Sequence, residues 1–161
     1  MVINIYSGGI NATGEIELFD KKSKNWTVVT KTKEISLFWS FQAVSLNNAT
    51  YIMGGIHCER ASTTDACIFP STTRDVLKMR HDGKFNLEKF PQSLLKTRFY
   101  AGSIVIRNSI ILAGGWNDDL GPGEGDAQLE YWDLIEENKF NITAGNYTTS
   151  YWDTFPLLFE Y

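Results

Sequence analysis

All the histidine and cysteine side chains of this 161-residue chain, two of each, fall in one window: His57, Cys58, Cys67 and His81. Imidazole and thiolate are the donors of a tetrahedral zinc site. Adjacent ligands at 57 and 58, with His81 set apart beyond another strand, make a poor tetrahedron, so no metal is expected here. Cys58 and Cys67 instead lie close enough to close a loop of about ten residues, and a disulfide there would stabilise by roughly 2 to 3 kcal/mol. The other reading is two unrelated free thiols. There is no C-x-x-C pair to support redox catalysis. Asn117, Asp118, Asp119, Glu124 and Asp126 offer oxygen ligands in a Gly-rich stretch. Their spacing does not fit an EF-hand loop, and a solvated acidic turn is the expectation.

The sequence also lacks the G-x-S-x-G elbow, the H-E-x-x-H helix and the P-loop, each of which needs its residues at fixed spacing to present a nucleophile, a metal or a phosphate. The chain is therefore read as no enzyme, without a cofactor. Its modification chemistry is richer. Asn11, Asn25, Asn48, Asn141 and Asn146 each begin an N-x-T sequon, so five of eleven asparagines are glycosylation candidates where the Ser/Thr content predicts about two. The alternative is a Thr-rich surface that never meets a glycosyl donor.

These residues are positioned by a repeated element. Three apolar runs end in a double glycine: 3–9, 51–55 and 110–115. Each is followed by a strand-like run ending in a large apolar residue, a polar turn and a second aromatic: Phe19 with Trp26, Met79 with Phe85, and Trp132 with Phe140. Glycine permits positive φ and close backbone approach. Each repeat therefore reads as a four-stranded antiparallel blade whose second strand ends at Gly-Gly, with the aromatics capping the space between sheets. Asn47-Asn48, Asp82-Gly83 and Arg107-Asn108 are the expected tight turns. Only residues 93–98 are granted a single helical turn. Arg98 is expected to make a salt bridge or carbonyl contact between blades.

An apolar run, Gly-Gly, a Tyr-like position and a Trp about seven residues on is the kelch pattern, and the chain resembles a kelch-repeat β-propeller of the galactose oxidase superfamily. Phe19-Asp20 with Trp26-Thr27 fits it; Met79 and Phe85 depart from it. The resemblance implies an all-β fold, a kelch-type β-propeller segment of about three four-stranded blades. Blade 1 (strands 2 to 4) takes residues 1–30, blade 2 takes 38–90, blade 3 takes 98–144, and 152–161 forms the first strand of a fourth. Such a chain is expected to be a fragment, or else one half of a homodimer that completes a six-bladed ring.

Net charge is −4 and no cluster of Lys or Arg forms a basic face, so neither nucleic acid nor an anionic membrane is an expected partner. No run approaches a membrane span. The sequons and cysteines favour an extracellular, secretory location if a signal peptide precedes a fragment, and a cytoplasmic one otherwise. The longest connections emerge on the Gly-Gly side of the sheets, where rigid strands carry adjustable loops. In kelch proteins, which this chain resembles, that surface holds protein partners. The reading is a non-catalytic protein-interaction module using His57, Arg60, Trp116, Asp118 and Asp119, with Trp116 open also to inter-blade packing. The alternative is a fragment of a secreted propeller enzyme or carbohydrate-binding protein. Against a galactose-oxidase-like site, only two histidines are available for copper.

Overall fold

The computed structural model describes residues 2–5, 14–31, 38–58, 70–116, 128–136 and 139–146, and every regular element among them is a β-strand. The first sheet is three-stranded and antiparallel: β1 (Val2–Ile5), β2 (Glu15–Asp20) and β3 (Asn25–Lys31), in that order. Two four-stranded meanders follow. One consists of β5 (Gln42–Leu46), β6 (Ala49–Met53), β9 (Val76–Arg80) and β10 (Leu87–Lys89). The other consists of β11 (Gly102–Ile106), β12 (Ser109–Ala113), β13 (Gln128–Glu136) and β14 (Lys139–Asn146). Each strand pairs with its sequence neighbour within its sheet, the arrangement that tight turns enforce.

Burial follows the strand period of two. In β9, Val76 packs into one core cluster and Met79 into another, on opposite sides of the same sheet. The central strand β6 is buried at all five positions, which is why Tyr51-Ile52-Met53 is a continuous apolar run and not an alternating one. Its Ile52 meets Ile16 of β2, and its Tyr51 and Met53 join Ile110, Leu112, Trp132 and Phe140 of the third sheet. The second sheet is thus the middle layer.

The cores on its two sides differ in size. Toward the third sheet, Tyr51 makes edge-on contacts with Phe90 at 5.5 Å and Phe140 at 5.3 Å, and Trp132 lies 5.4 Å from Phe140. Such tilted pairs add to the area term because the positive ring edge meets the negative face. Gln92 clips the same junction, accepting from the Phe140 N–H at 2.6 Å and donating to its carbonyl at 2.7 Å. Between different sheets, β5 and β11 are the strands that run closest together.

Some expectations need correction. Residues 93–98 form no helical turn. The Leu94 N–H is taken by the Arg74 carbonyl, and those of Leu95 and Lys96 by the Glu130 carboxylate, so distant partners replace the local carbonyls a turn would use. An additional sheet appears within residues 38–90: β4 (Phe38–Trp39), β7 (Ile56–Cys58) and β8 (Pro70–Thr72), in the order β4-β7-β8. The last strand of the third sheet continues past the expected boundary at 144, to Asn146. Met79 is in register with Leu87, and Phe85 sits at φ +50° just ahead of that strand. The segment 152–161 lies outside the described residues.

Candidate recognition surface at the glycine end

The middle and third sheets repeat each other at an interval of 60 residues, from Gly54-Gly55 to Gly114-Gly115. The four glycines have φ of +65°, +95°, +63° and +85°. L-residues pay roughly 1 to 2 kcal/mol in this region, and space is also short. A Cβ on Gly55 would lie 2.7 Å from the Trp39 carbonyl oxygen, and one on Gly115 would lie 2.6 Å from that of Phe99. The corner brings the following residue back beside the approach to the first strand: Ile56 pairs with Trp39, and Trp116 bridges Phe99. Ser40 and Tyr100, next in each approach, share φ of +56° and +54°, and the Tyr100 N–H donates to the Ser40 carbonyl at 3.1 Å.

Arg98 joins the two corners. Its carbonyl accepts the Gly55 N–H at 2.7 Å, while its guanidinium donates to the carbonyls of Gly114 and, at 3.2 Å, Gln128. The side-chain contacts, expected between blades, fall instead within the third sheet that Arg98 leads into; only its main-chain carbonyl reaches the neighbouring sheet. Arg98 and Glu130 have side-chain exposures of 1% and 0%, with Nη2 3.5 Å from Oε1. Burying the carboxylate is tolerable because it also accepts from the N–H groups of Leu95 (3.0 Å) and Lys96 (3.4 Å) and from the Trp132 indole (3.2 Å).

Next to Arg98 in the chain an aromatic group reaches the surface. The Phe99 and Trp116 rings are stacked, 6.4 Å apart at 28°, and Phe99 lies 5.5 Å from Tyr100. Tyr100 is 61% exposed, whereas Phe99 and Trp116 are half-buried. Trp116 therefore both packs and presents surface. The geometry suits apolar and stacking contacts to a ligand.

The sequence matches no protein-family model and no curated protein.

Of the residues expected at this surface, His57 is half-buried in β7, its backbone paired with Phe38 and Ser71. It sits at the first corner and Trp116 at the second, so the two are placed on different corners. Cys58 is buried and disulfide-bonded. Arg60, Cys67, Asp118, Asp119 and Asn11 lie outside the described residues. His81 is at the far end of β9, in the turn beyond Arg80. Five residues of strand separate that turn from the glycine corner, roughly 17 Å at 3.3 Å per residue, so His57 and His81 are not one ligand set. Among the described residues no three His, Cys, Asp or Glu side chains cluster as a metal site, and no helix is long and apolar enough to cross a membrane.

Sequence reasoning missed Phe99 and Tyr100. Their signal was available: they stand 60 residues after Trp39 and Ser40, at the head of the repeat. Nothing in the dipeptide itself announces an exposed Tyr at positive φ, a conformation that glycine or asparagine usually fills.

Proposed function

We propose that this chain is a kelch-type β-propeller segment acting as a non-catalytic protein-interaction module, with the partner bound at the glycine end. The observation that carries the reading is the Phe99, Tyr100 and Trp116 group, clustered at the second glycine corner next to the buried Arg98–Glu130 pair, with Tyr100 exposed. Aromatic side chains supply large contact area at small conformational cost, and Tyr and Trp concentrate binding energy at interfaces. The meander order of the two four-stranded sheets, the Gly-Gly corner after the second strand of each and the close approach of β5 and β11 support blades that radiate from their first strands.

A second reading, a carbohydrate-binding or enzymatic fragment of a secreted propeller, draws on the same exposed Tyr100, since sugars also stack on aromatic rings. Affinity capture by the full chain separates the two. Tyr100→Ser is expected to weaken capture of a protein partner by about tenfold or more at an unchanged melting temperature, and Trp116→Ala to weaken it as much with some loss of stability, because that ring also packs on Phe99. Capture that survives both substitutions, or that soluble oligosaccharide abolishes, would sink the protein-binding reading.

A further inference from the structure

The three sequons among the described side chains gather at one end of the sheets. Asn25 opens β3 and is in register with Asp20, the last residue of β2. Asn48 is the second residue of the tight turn between β5 and β6. Asn141 is in register with Asp133, which is itself in register with Ser109, the first residue of β12. Antiparallel strands reverse at every connection, so the turns from first to second and third to fourth strands emerge opposite the Gly-Gly corners. All three asparagines are at or next to such turns, and all three are exposed.

Their surroundings are open to a large substituent. Residues 20–27 are exposed throughout, and the Asn48 amide makes only a 3.5 Å contact with the His81 carbonyl, at the limit of a hydrogen bond. The same end displays apolar surface: Trp26, Ile106 and Ile135 are 45%, 48% and 57% exposed. A hydrated oligosaccharide beside such side chains screens them from self-association. The disulfide at Cys58 is an independent sign of an oxidising compartment, the one that also supplies the glycosyl donor.

We propose that Asn25, Asn48 and Asn141 carry N-linked glycans that coat the turn end of the sheets. The donor is a lipid-diphosphate-linked oligosaccharide. The side-chain amide nitrogen forms a bond to the anomeric carbon, the carbon–oxygen bond to diphosphate breaks, the nitrogen gives up one proton, and lipid diphosphate leaves. No electron transfer is involved. The assignment stands independently of what the glycine end binds.

The test is secretion of the full chain behind a cleavable leader from a eukaryotic cell, followed by release of glycans with an amidase in heavy-oxygen water and peptide mass mapping. Heavy-oxygen-labelled aspartate at 25, 48 and 141 is the expected result, with each label abolished in turn by Thr27→Ala, Asn48→Asp and Thr143→Ala. Unlabelled asparagine at any of the three positions overturns the assignment. A glycan-free chain secreted in the presence of a transferase inhibitor is expected to show more self-association by light scattering; equal solubility overturns the screening role.

Discussion

The corners at Gly54-Gly55 and Gly114-Gly115 have the same backbone shape and are held by different physics. At the first, supports are neutral and from the main chain: the Gly54 N–H donates to the Asp75 carbonyl at 3.0 Å, the Gly55 N–H to the Arg98 carbonyl at 2.7 Å, and the Gly55 carbonyl accepts from Thr73 at 3.1 Å. Beyond it the chain continues into β7 and the sheet it shares with β4 and β8. At the second, the Gly114 carbonyl is held by a buried guanidinium that is balanced by a buried carboxylate, and among the described residues the pairing beyond it is the bridge from Phe99 to Trp116, with stacked rings. Glycine decides the conformation. What braces it is interchangeable, and the corner braced by the buried ion pair has its aromatics at the surface.

The sharpest way to break this symmetry is to remove the charge balance. Glu130→Leu leaves the Arg98 guanidinium buried without its counter-ion and strands two loop N–H groups and the Trp132 indole. A loss of roughly 3 to 5 kcal/mol is expected in denaturant unfolding, the range for a buried pair deprived of one partner. Hydrogen exchange should quicken first at Leu95 and Lys96, whose amides the carboxylate accepts, and only later at Gly55. Arg98→Met combined with Glu130→Leu is expected to recover part of the loss, because no isolated charge remains. A Glu130→Leu chain as stable as the parent would mean that the pair does not brace the second corner.

A smaller effect separates conformation from crowding. Gly115→Ala must hold a side chain at φ +85° and within 2.6 Å of the Phe99 carbonyl oxygen. Gly83→Ala faces the same backbone difficulty at φ +86° but meets nothing within 4 Å. The open turn is expected to lose about 1 to 2 kcal/mol, and the corner roughly 1 to 2 kcal/mol more as the bridge to Trp116 shifts. Paired melting curves of the two variants measure the difference. Equal losses would show that the corner's tightness relaxes freely and that only dihedral strain matters.

How much of this was legible in the chain depends on the range of the cause. The Gly-Gly corners and the tight turns were readable because their requirement, positive φ, falls on residues that supply it: Gly54, Gly114, Asn47 and Asn48 all take it. The strands flanking them were readable from period and apolar runs, and Arg98 from its place before a first strand. The sheet of β4, β7 and β8 was not, since two- and three-residue strands carry too few positions to show a period. The loop 93–98 looked locally able to coil, and its fate is set by Glu130, more than thirty residues away. Trp116 could be named as a site residue, but its stacking partner Phe99 and exposed neighbour Tyr100 became visible only once the corner folded the chain back on itself.

The smallest expected effect concerns the opposite end of the same repeat. The His81 N–H donates to the Asn48 carbonyl at 2.9 Å, and the Leu134 N–H donates to the Asn108 carbonyl at 3.0 Å, so His81 and Leu134 are equivalent positions with a titratable ring in one sheet and an aliphatic chain in the other. Burial of the ring, and after it the positive charge of the N-terminus, holds His81 below the usual 6.5. Its Nε2 lies 2.9 Å from the Thr50 hydroxyl, which also contacts Ser45 at 2.9 Å. Because the folded ring resists protonation, the unfolded chain binds the proton more readily. The stability tied to the neutral ring is therefore complete above pH 6.5 and is lost as pH falls from there through the lowered folded-state value. Melting temperature followed from pH 8 to pH 5 should decline in the parent chain and decline less in His81→Leu, which copies the third sheet's solution. An identical decline in both would place the acid sensitivity elsewhere and leave the two turns energetically alike.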